Sequence, residues 1–327
     1  MAGTSYRCYQ LHGLHVHSEV ALGGRREPER SGACGVAPDV LVRWGDPRPT
    51  SSRPEGQVLA TSPRRDNGAE AFLTAVDHGG ELLLRIHGTC DLRVAPSLDE
   101  ISCHRHPGAD PDLVGVLCAG LGIAFVLGLR GEPILHASAV SMPPDGDVVA
   151  VAGGHGVGKS TVTALLCAVG CGFVTDDLLR IDVSGPGVRT VGGCTELRLR
   201  TGAAHVLDSL AAVGAWRVRS TADDRLAVEL DGRPPAMGVL RAIVVPWPAR
   251  GQRHVELERL AAAEALVVLA RNPRFEGWVL PSVAKMQFEA VARVVESTPV
   301  LRAVFPWSPE PTKDGACELV EALATLG

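Results

Sequence analysis

The chain has 327 residues, of which 46% are hydrophobic and 21% are charged, and its formal net charge at pH 7 is −5. This composition is typical of a globular protein long enough for two domains, and it excludes wholesale disorder. The negative charge and the aromatic share of only 4% argue against a nucleic-acid partner, which requires a basic field and stacking side chains.

Residues 1–105 are predicted to form a β-rich N-terminal domain. Residues 14–17 and 81–86 carry the apolar and alternating patterns of short strands. Between them, residues 23–35 and 45–68 are rich in Gly, Pro, Ser and Arg, and this composition is typical of loops.

An uncharged segment follows at residues 113–129. Asp110 and Pro111 before it supply an N-cap and a proline at the first helical position, which predicts a helix over residues 111–130. The segment is at the lower end of the length that crosses a membrane, and a helix buried in a large core has the same composition. We expect the buried helix and no membrane partner.

The nine cysteines form an odd-numbered set at irregular spacing, without a C-x-x-C pair. This pattern argues against a disulfide framework or a zinc ribbon and predicts reduced, buried thiols in a cytoplasm. Residues 1–10 lack the basic and apolar regions of a signal peptide, which supports the same expectation of a cytoplasmic protein.

Residues 106–327 are predicted to form a second domain, because strands and helices alternate along most of this region. A Ser-Gly-Pro-Gly sequence at residues 184–187 indicates a hairpin turn. Strands are predicted at 147–152, 173–175, 179–183, 188–191, 226–230, 240–245 and 300–305, and helices at 159–169, 203–213, 261–270, 281–296 and 314–326.

The motif that carries chemistry is G-x-x-x-x-G-K-[ST], which occurs at residues 153–160 between a predicted strand and a predicted helix. That context is what distinguishes a phosphate-binding loop from a chance match. Glycines let backbone N–H groups point at phosphate oxygens, and the helix N-terminus adds positive charge. The predicted ATP-binding residues are Gly153, Gly154, His155, Gly156, Val157, Gly158, Lys159, Ser160 and Thr161.

Within this motif, Lys159 is expected to contact the β- and γ-phosphates, and the Ser160 hydroxyl is expected to bind Mg²⁺. Two carboxylates, Asp176 and Asp177, follow the next predicted strand. Carboxylates at that place can hold Mg²⁺ or accept a proton from an attacking hydroxyl. A helix cap or a surface turn is the alternative for this pair.

Two further residues are candidates for the same site. His136 precedes the strand of the motif and could orient an aspartate or stabilise phosphate charge, and a core histidine with satisfied hydrogen bonds is the alternative. Glu196 is a candidate second Mg²⁺ ligand, and a solvated strand face is its alternative.

Three segments together resemble the HPr kinase/phosphorylase superfamily: His-Ala-Ser-Ala-Val at residues 136–140, Gly-Lys-Ser at 158–160 and Phe-Val-Thr-Asp-Asp at 173–177. The chain is more similar still to the HPr-kinase-related proteins of biosynthetic gene clusters, which include the kinases of lasso-peptide pathways. Their N-terminal strand resembles residues 9–13 and 18–19, and their C-terminal segment resembles residues 298–306.

The resemblance implies a P-loop kinase core of the HPr-kinase type, an α/β fold with a central mixed sheet flanked by helices. It also implies an ATP- and Mg²⁺-dependent kinase that acts on a serine-type hydroxyl. Matched to the family, Asp176 is the general acid/base and His136 is its partner. Lys159 and Ser160 contact phosphate and Mg²⁺, and Asp177 is a carboxylate on the metal side.

The sequence departs from the family pattern in two places. Gly154 and His155 replace the usual small or acidic residues of the loop. The family's Glu-Ile-Arg-Gly signature, in the region that binds the protein substrate, is only approximated by Glu-Leu-Arg-Leu at residues 196–199, which argues against HPr as the substrate.

We therefore expect a kinase that transfers the γ-phosphoryl group of ATP to a hydroxyl on a peptide, protein or small molecule. Two alternatives remain. A non-catalytic nucleotide sensor that partners a biosynthetic enzyme could bind ATP without the full set of His136, Lys159, Ser160, Asp176 and Asp177. Chemistry like that of phosphoenolpyruvate carboxykinase ranks lowest, because it needs a further metal-binding lysine and histidine. Homo-oligomerisation stays open.

Overall fold

The computed structural model describes residues 6–23, 35–62, 71–194, 196–204, 206–211, 217–230, 237–307 and 311–325. Contacts between Cα atoms divide the chain into two compact units. The first unit comprises residues 1–132 and 275–287, and the second comprises residues 133–274 and 288–327. Both contain mixed sheets and helices, so the class is mixed α/β.

The first unit is built on a mixed sheet with the strand order β1-β2-β3-β8-β7-β6-β5-β4. Most neighbours are antiparallel, and β3 is parallel to both β2 and β8. Two-residue turns connect two of the hairpins, where Gly13 and the pair Gly79–Gly80 take positive φ angles that such turns require. The strands are β1 Arg7–Leu11, β2 Leu14–Ser18, β3 Val40–Trp44, β4 Gln57–Thr61, β5 Leu73–His78, β6 Glu81–Ile86, β7 Cys90–Val94 and β8 Glu100–Arg105.

One predicted loop contains a strand. Strand β4 lies within residues 45–68, because the apolar run 58–60 pairs with β5 at the end of the sheet despite its Gly- and Pro-rich surroundings. Most of the other predicted loop, residues 23–35, lies outside the described residues.

The apolar segment forms a helix with a short π-helical step in its middle. It consists of α1 Pro111–Leu117, the π turn Cys118–Gly122 and α2 Ile123–Leu129. Asp110 caps it by accepting a hydrogen bond from the backbone N–H of Asp112, as the sequence predicts. Within the described residues this is the one helix long and apolar enough to span a membrane by length and composition, and 56% of its apolar window is buried.

This helix belongs to the first unit, whereas the sequence predicted a domain boundary at residue 105. Small residues let it approach its neighbours closely: a Cβ atom on Gly115 would overlap the carbonyl oxygen of Ala21, and one on Gly122 would touch Leu92. The helix therefore covers the N-terminal sheet, and the chain divides after Glu132.

Most of the cysteines are thiols, as expected. In the described residues Cys90, Cys103, Cys118, Cys167, Cys171, Cys194 and Cys317 are free. Cys8, however, is disulfide-bonded, so the expectation of reduced thiols does not hold throughout the chain.

The second unit contains a mixed sheet with the order β12-β10-β11-β18-β14-β13-β9. In addition, β20 pairs with β18, and β19 pairs with β20. The central strands β11, β18 and β20 run parallel. The strands are β9 Ile134–Leu135, β10 Ala137–Ser141, β11 Val148–Ala152, β12 Gly172–Thr175, β13 Leu179–Asp182, β14 Arg189–Val191, β18 Met237–Ala249, β19 Glu256–Arg259 and β20 Val300–Pro306.

A smaller antiparallel sheet has the order β15-β17-β16, with β15 Glu196–Arg200, β16 Arg217–Ser220 and β17 Arg225–Glu229. The helices of the second part of the chain begin and end close to the predicted positions where both are described. They are α3 Lys159–Ala168, α4 Val206–Ala211, α5 Ala262–Ala270, α6 Pro281–Ser297 and α7 Lys313–Ala324.

Strand β11 lies between β10 and β18, and all five of its residues are buried. Val149 and Val151 face a cluster that includes side chains of α3 and α7. Val148, Ala150 and Ala152 face a second cluster that includes side chains of α5 and α6. A strand covered on both faces is apolar throughout, and it fixes the position of the residues that follow it.

Candidate active site

A glycine-rich loop, residues 153–158, connects β11 to the first turn of α3. Gly153, Gly156 and Gly158 take φ angles of 134°, 81° and 94°, which side chains disfavour. Gly158 is also the N-cap of α3, and a Cβ atom there would lie 2.4 Å from the ring of Trp307. The backbone of this loop therefore needs glycine for conformation and, at Gly158, for space.

Lys159, the first residue of α3, folds back over this loop. Its Nζ atom donates hydrogen bonds to the carbonyl oxygens of Gly153 and Gly154, at 3.0 and 3.1 Å. Burial lowers the pKa of this ammonium group, and the nearby charges of Asp177 and Asp176 act in the opposite direction. The ammonium group of Lys159 thus lies against the glycine-rich loop.

Asp176 follows β12 and is almost fully buried. Its Oδ1 atom accepts hydrogen bonds from the hydroxyls of Ser160, at 2.9 Å, and Ser138, at 2.5 Å. Its Oδ2 atom accepts a hydrogen bond from the backbone N–H of Arg198, at 2.9 Å. Burial raises the pKa of Asp176, as does the charge of Asp177, while the three hydrogen bonds partly offset this.

Asp177 turns the chain in the left-handed region, with a φ of 68°. Its Oδ1 atom lies 3.2 Å from Nε2 of His136, and its Oδ2 atom lies 2.8 Å from a terminal nitrogen of Arg274. Burial favours the neutral acid, but Arg274 and His136 override it and hold the pKa of Asp177 well below its usual range. Asp177 is therefore an ionised carboxylate at neutral pH.

These contacts correct the pairing that the resemblance implied. His136 contacts Asp177 rather than Asp176. His136 lies in the bend between β9 and β10, whereas Ser138, two residues further on in β10, meets Asp176. Asp176 is instead the partner of Ser160, the residue expected on the metal side. The His136 ring also meets the His155 ring edge-on, with centroids 5.0 Å apart.

The structure does not bring Glu196 to this site. Its carboxylate pairs with Arg219 at 2.6 Å on the neighbouring sheet, and it is not among the residues that line the cavity. The expectation that Glu196 is a second Mg²⁺ ligand is therefore not carried further.

An open cavity of about 250 Å³ lies in front of the glycine-rich loop and the aspartates. It is lined by predicted residues and by seven that were not predicted as site residues: Arg198, Leu199, Arg200, Gly202, Ala203, Arg225 and Trp307. Gly153, Gly154 and Val157 are not among the lining residues and form the support of the loop. The predicted residues in the lining are His136, His155, Gly156, Gly158, Lys159, Ser160, Thr161, Asp176 and Asp177.

Sequence reasoning also missed Ser138 and Arg274. Ser138 could have been found, because it is two residues from His136 and a strand places such residues on one face. Arg274 lies beyond the end of α5, almost a hundred residues from Asp177 in the chain, and no local pattern links the two.

The donor set fits a Mg²⁺ ion that binds together with a nucleotide. Mg²⁺ prefers oxygen ligands and usually takes one or two carboxylates, with phosphates and water completing its shell. The Ser160 hydroxyl and the Asp176 carboxylate lie side by side at the end of the loop. In the part of the chain that is described, no group of three or more His, Cys, Asp or Glu residues could hold a metal ion by itself.

No protein-family model matches the chain, and no curated protein matches it. Among solved structures, the HPr(Ser) kinase/phosphatase from Coxiella burnetii is similar over 58% of this chain and 87% of its own. The sequence identity is 13% and the TM-score is 0.29. A similarity of this degree carries no argument about the function of this chain.

Proposed function

We propose that this protein is a kinase that transfers the γ-phosphoryl group of ATP to a hydroxyl, in the manner of P-loop enzymes of the HPr-kinase type. The proposal is carried by the hydrogen bond from the Ser160 hydroxyl to Oδ1 of Asp176, at 2.9 Å. Ser160 is the residue that follows Lys159 in the chain. In P-loop enzymes Mg²⁺ is held by the hydroxyl that follows the loop lysine and by an aspartate from outside the loop.

The loop and the first residues of α3 would bind the donor. The backbone N–H groups of residues 153–158 and the N-terminus of α3 attract phosphate oxygens. The ammonium group of Lys159 would exchange its loop carbonyls for the β- and γ-phosphates. Ser160 and Asp176 would hold Mg²⁺, which supplies positive charge that stabilises the transferred phosphoryl group.

Asp177 would accept the hydrogen bond of the acceptor hydroxyl, because its carboxylate is ionised and lines the cavity. His136 and Arg274 fix the orientation of that carboxylate. Phosphoryl transfer has a loose transition state, so a weakly basic carboxylate suffices to align the oxygen and take its proton late. The acceptor oxygen bonds to the γ-phosphorus as the bond between the γ-phosphorus and the bridging oxygen breaks, and ADP leaves with that oxygen. The proton of the acceptor hydroxyl passes to Asp177 and then to water.

We further propose ATP and Mg²⁺ as cofactors, a cytoplasmic location, and a role in a biosynthetic pathway. The proposed activity requires neither nucleic acid nor a membrane. The apolar helix packs within the first unit, where Gly115 and Gly122 lie against Ala21 and Leu92, and 56% of its apolar window is buried.

The test compares ATP–Mg²⁺ binding by calorimetry in the full chain and in two lysine variants. Lys159→Ala removes a charge-assisted phosphate contact and is expected to weaken binding about 10- to 100-fold. Lys313→Ala, at the exposed start of α7, is the matched control and should bind normally. Equal affinity of all three proteins would refute the assignment of the loop.

Phosphoryl transfer is then measured with labelled ATP and a panel of serine peptides, proteins and small hydroxyl compounds. Transfer to any acceptor that depends on Lys159 supports the kinase. ATP binding with neither transfer nor hydrolysis would instead support the nucleotide sensor.

A further inference from the structure

The small sheet β15-β17-β16 has two chemically different faces. Side chains alternate along a strand, and Leu197, Leu199 and Val228 point into the core of the second unit. The opposite positions on β15 are charged, and two of them, Arg198 and Arg200, line the cavity. The third charged position, Glu196, pairs with Arg219 and does not line the cavity. The end of this face that borders the proposed active site is therefore basic.

Arg200 lies directly opposite Arg225 in this sheet, at the end of the paired register of β15 and β17. Both residues line the cavity. Like charges at directly opposed positions destabilise a sheet, so two cations here carry an energetic cost for the protein alone. An anion bound between them would remove that cost.

The carboxylates nearby leave much of this charge uncompensated. Asp223 pairs with Arg198 and also lies 3.4 Å from Nε of Arg225, so one carboxylate serves two guanidinium groups. Asp177 is already paired with Arg274. Among the described residues Arg200 has no ion-pair partner, and its side chain is exposed.

We propose that the acceptor is an anionic hydroxyl compound, with a carboxylate or phosphate group that binds between Arg200 and Arg225. Guanidinium groups match both anions because their N–H donors form a planar fork. This inference rests on the proposed kinase function and specifies its substrate class. The donor's phosphates have their own ligands in residues 153–160, on a different part of the chain.

The test measures the binding of two matched pairs of compounds to the full chain in the presence of ADP and Mg²⁺. One pair is glycerol 3-phosphate and glycerol, and the other is a short serine peptide flanked by glutamates and the same peptide flanked by glutamines. We expect the anionic member of at least one pair to bind about 10-fold or more tightly than its neutral counterpart. The pair that shows the preference distinguishes a small anion from an acidic peptide.

The variants Arg200→Gln and Arg225→Gln are expected to reduce this preference about 3- to 10-fold each, the lower range reflecting solvent at the site. Arg225→Lys, which keeps the charge, should retain part of it. Arg250→Gln, at an exposed position outside this sheet, should leave it unchanged. The affinity for ADP–Mg²⁺ should be the same in all four variants.

Equal binding of charged and neutral compounds in both pairs would overturn this inference, as would an equal loss in Arg250→Gln. Weaker ADP–Mg²⁺ binding in the Arg200 and Arg225 variants would assign these arginines to the donor and overturn it as well. A wild-type protein that binds neither ADP–Mg²⁺ nor ATP–Mg²⁺ would refute the kinase, whatever its preference for anions. Nucleotide binding without any preference for anions refutes the substrate class alone.

Discussion

The imidazole of His136 contacts the carboxylate of Asp177, with 3.2 Å between Nε2 and Oδ1. The neighbouring carboxylate, Asp176, points the other way and meets the hydroxyls of Ser138 and Ser160. Two adjacent residues of the same type thus have different partners. Their contacts divide the proposed chemistry between a proton acceptor and a metal-side ligand.

The first prediction concerns the proton acceptor. Asp177→Asn keeps the shape of the side chain and removes its charge, so transfer to the acceptor should fall by about 10²- to 10⁴-fold. ATP–Mg²⁺ should still bind, because residues 153–160 are unchanged. Single-turnover transfer at saturating ATP–Mg²⁺ measures this, and a rate equal to that of the wild type would remove Asp177 from the mechanism.

The second prediction concerns the metal side. Asp176→Asn should raise the Mg²⁺ concentration needed for half-maximal ATP binding by about 10-fold or more, because a neutral amide is a weaker ligand for a hard cation. The same variant should recover much of its transfer rate at high Mg²⁺, unlike Asp177→Asn. Titration of Mg²⁺ at fixed ATP distinguishes them, and the opposite ranking would restore the roles implied by the family resemblance.

Much of this site could be predicted from sequence because its central part is local. The strand, glycine-rich loop and helix at residues 148–168 follow one another in the chain, and periodicity with glycine spacing indicates them directly. The carboxylate pair at the end of β12 was predictable for the same reason.

The partners of those carboxylates depend on contacts that are distant in the chain. Arg274 reaches Asp177 only after α5 has packed on the sheet, and Arg225 meets Arg200 only through the pairing of β17 with β15. The predicted boundary at residue 105 differs from the observed division after Glu132 for a related reason. A uniformly apolar helix has no polar face that would indicate which sheet it covers.

The third prediction concerns acid sensitivity in the first unit. Burial lowers the pKa of both His87 and His104 from the ordinary value of 6.5. As pH falls below that value, the unfolded chain binds protons at these imidazoles that the folded chain does not. The free energy of unfolding should therefore decrease as pH falls from about 6.5 through the two folded-state pKa values.

The measurement compares thermal unfolding midpoints at pH 7.5 and pH 5.5 in the wild type and in the double variant His87→Gln and His104→Asn. These amides can replace the contacts with the Thr74 hydroxyl and the Asp46 carbonyl. The double variant should lose less stability between the two pH values, whatever its absolute midpoint. His78→Gln, at an exposed position, is the control, and an unchanged pH difference in the double variant would contradict the prediction.

The last prediction concerns the fit of Trp307 against the glycine-rich loop. Gly158 and Gly156 have similar positive φ angles, 94° and 81°, so an alanine at either position carries a similar backbone strain of about 1–2 kcal/mol. Their surroundings differ, because a Cβ atom at Gly158 would lie 2.4 Å from the ring of Trp307, whereas one at Gly156 has nothing within 4 Å. Gly158→Ala should therefore reduce the free energy of unfolding by at least about 1 kcal/mol more than Gly156→Ala does.

A double-mutant cycle with Trp307→Ala separates the overlap from the strain. In the Trp307→Ala background the space beside residue 158 is open, so the two alanine variants should become equally costly because only the φ strain remains. With Trp307 present, Gly158→Ala should also weaken ATP binding more than Gly156→Ala does, because the overlap with the ring turns the N–H groups of the loop away from the phosphates. With Trp307→Ala this difference in affinity should disappear. Denaturant unfolding and calorimetry on the six proteins provide both readouts. If Gly158→Ala and Gly156→Ala are equally destabilising while Trp307 is present, the Trp307 ring does not constrain the loop. Trp307 would then line the cavity without fixing the position of the bound phosphates.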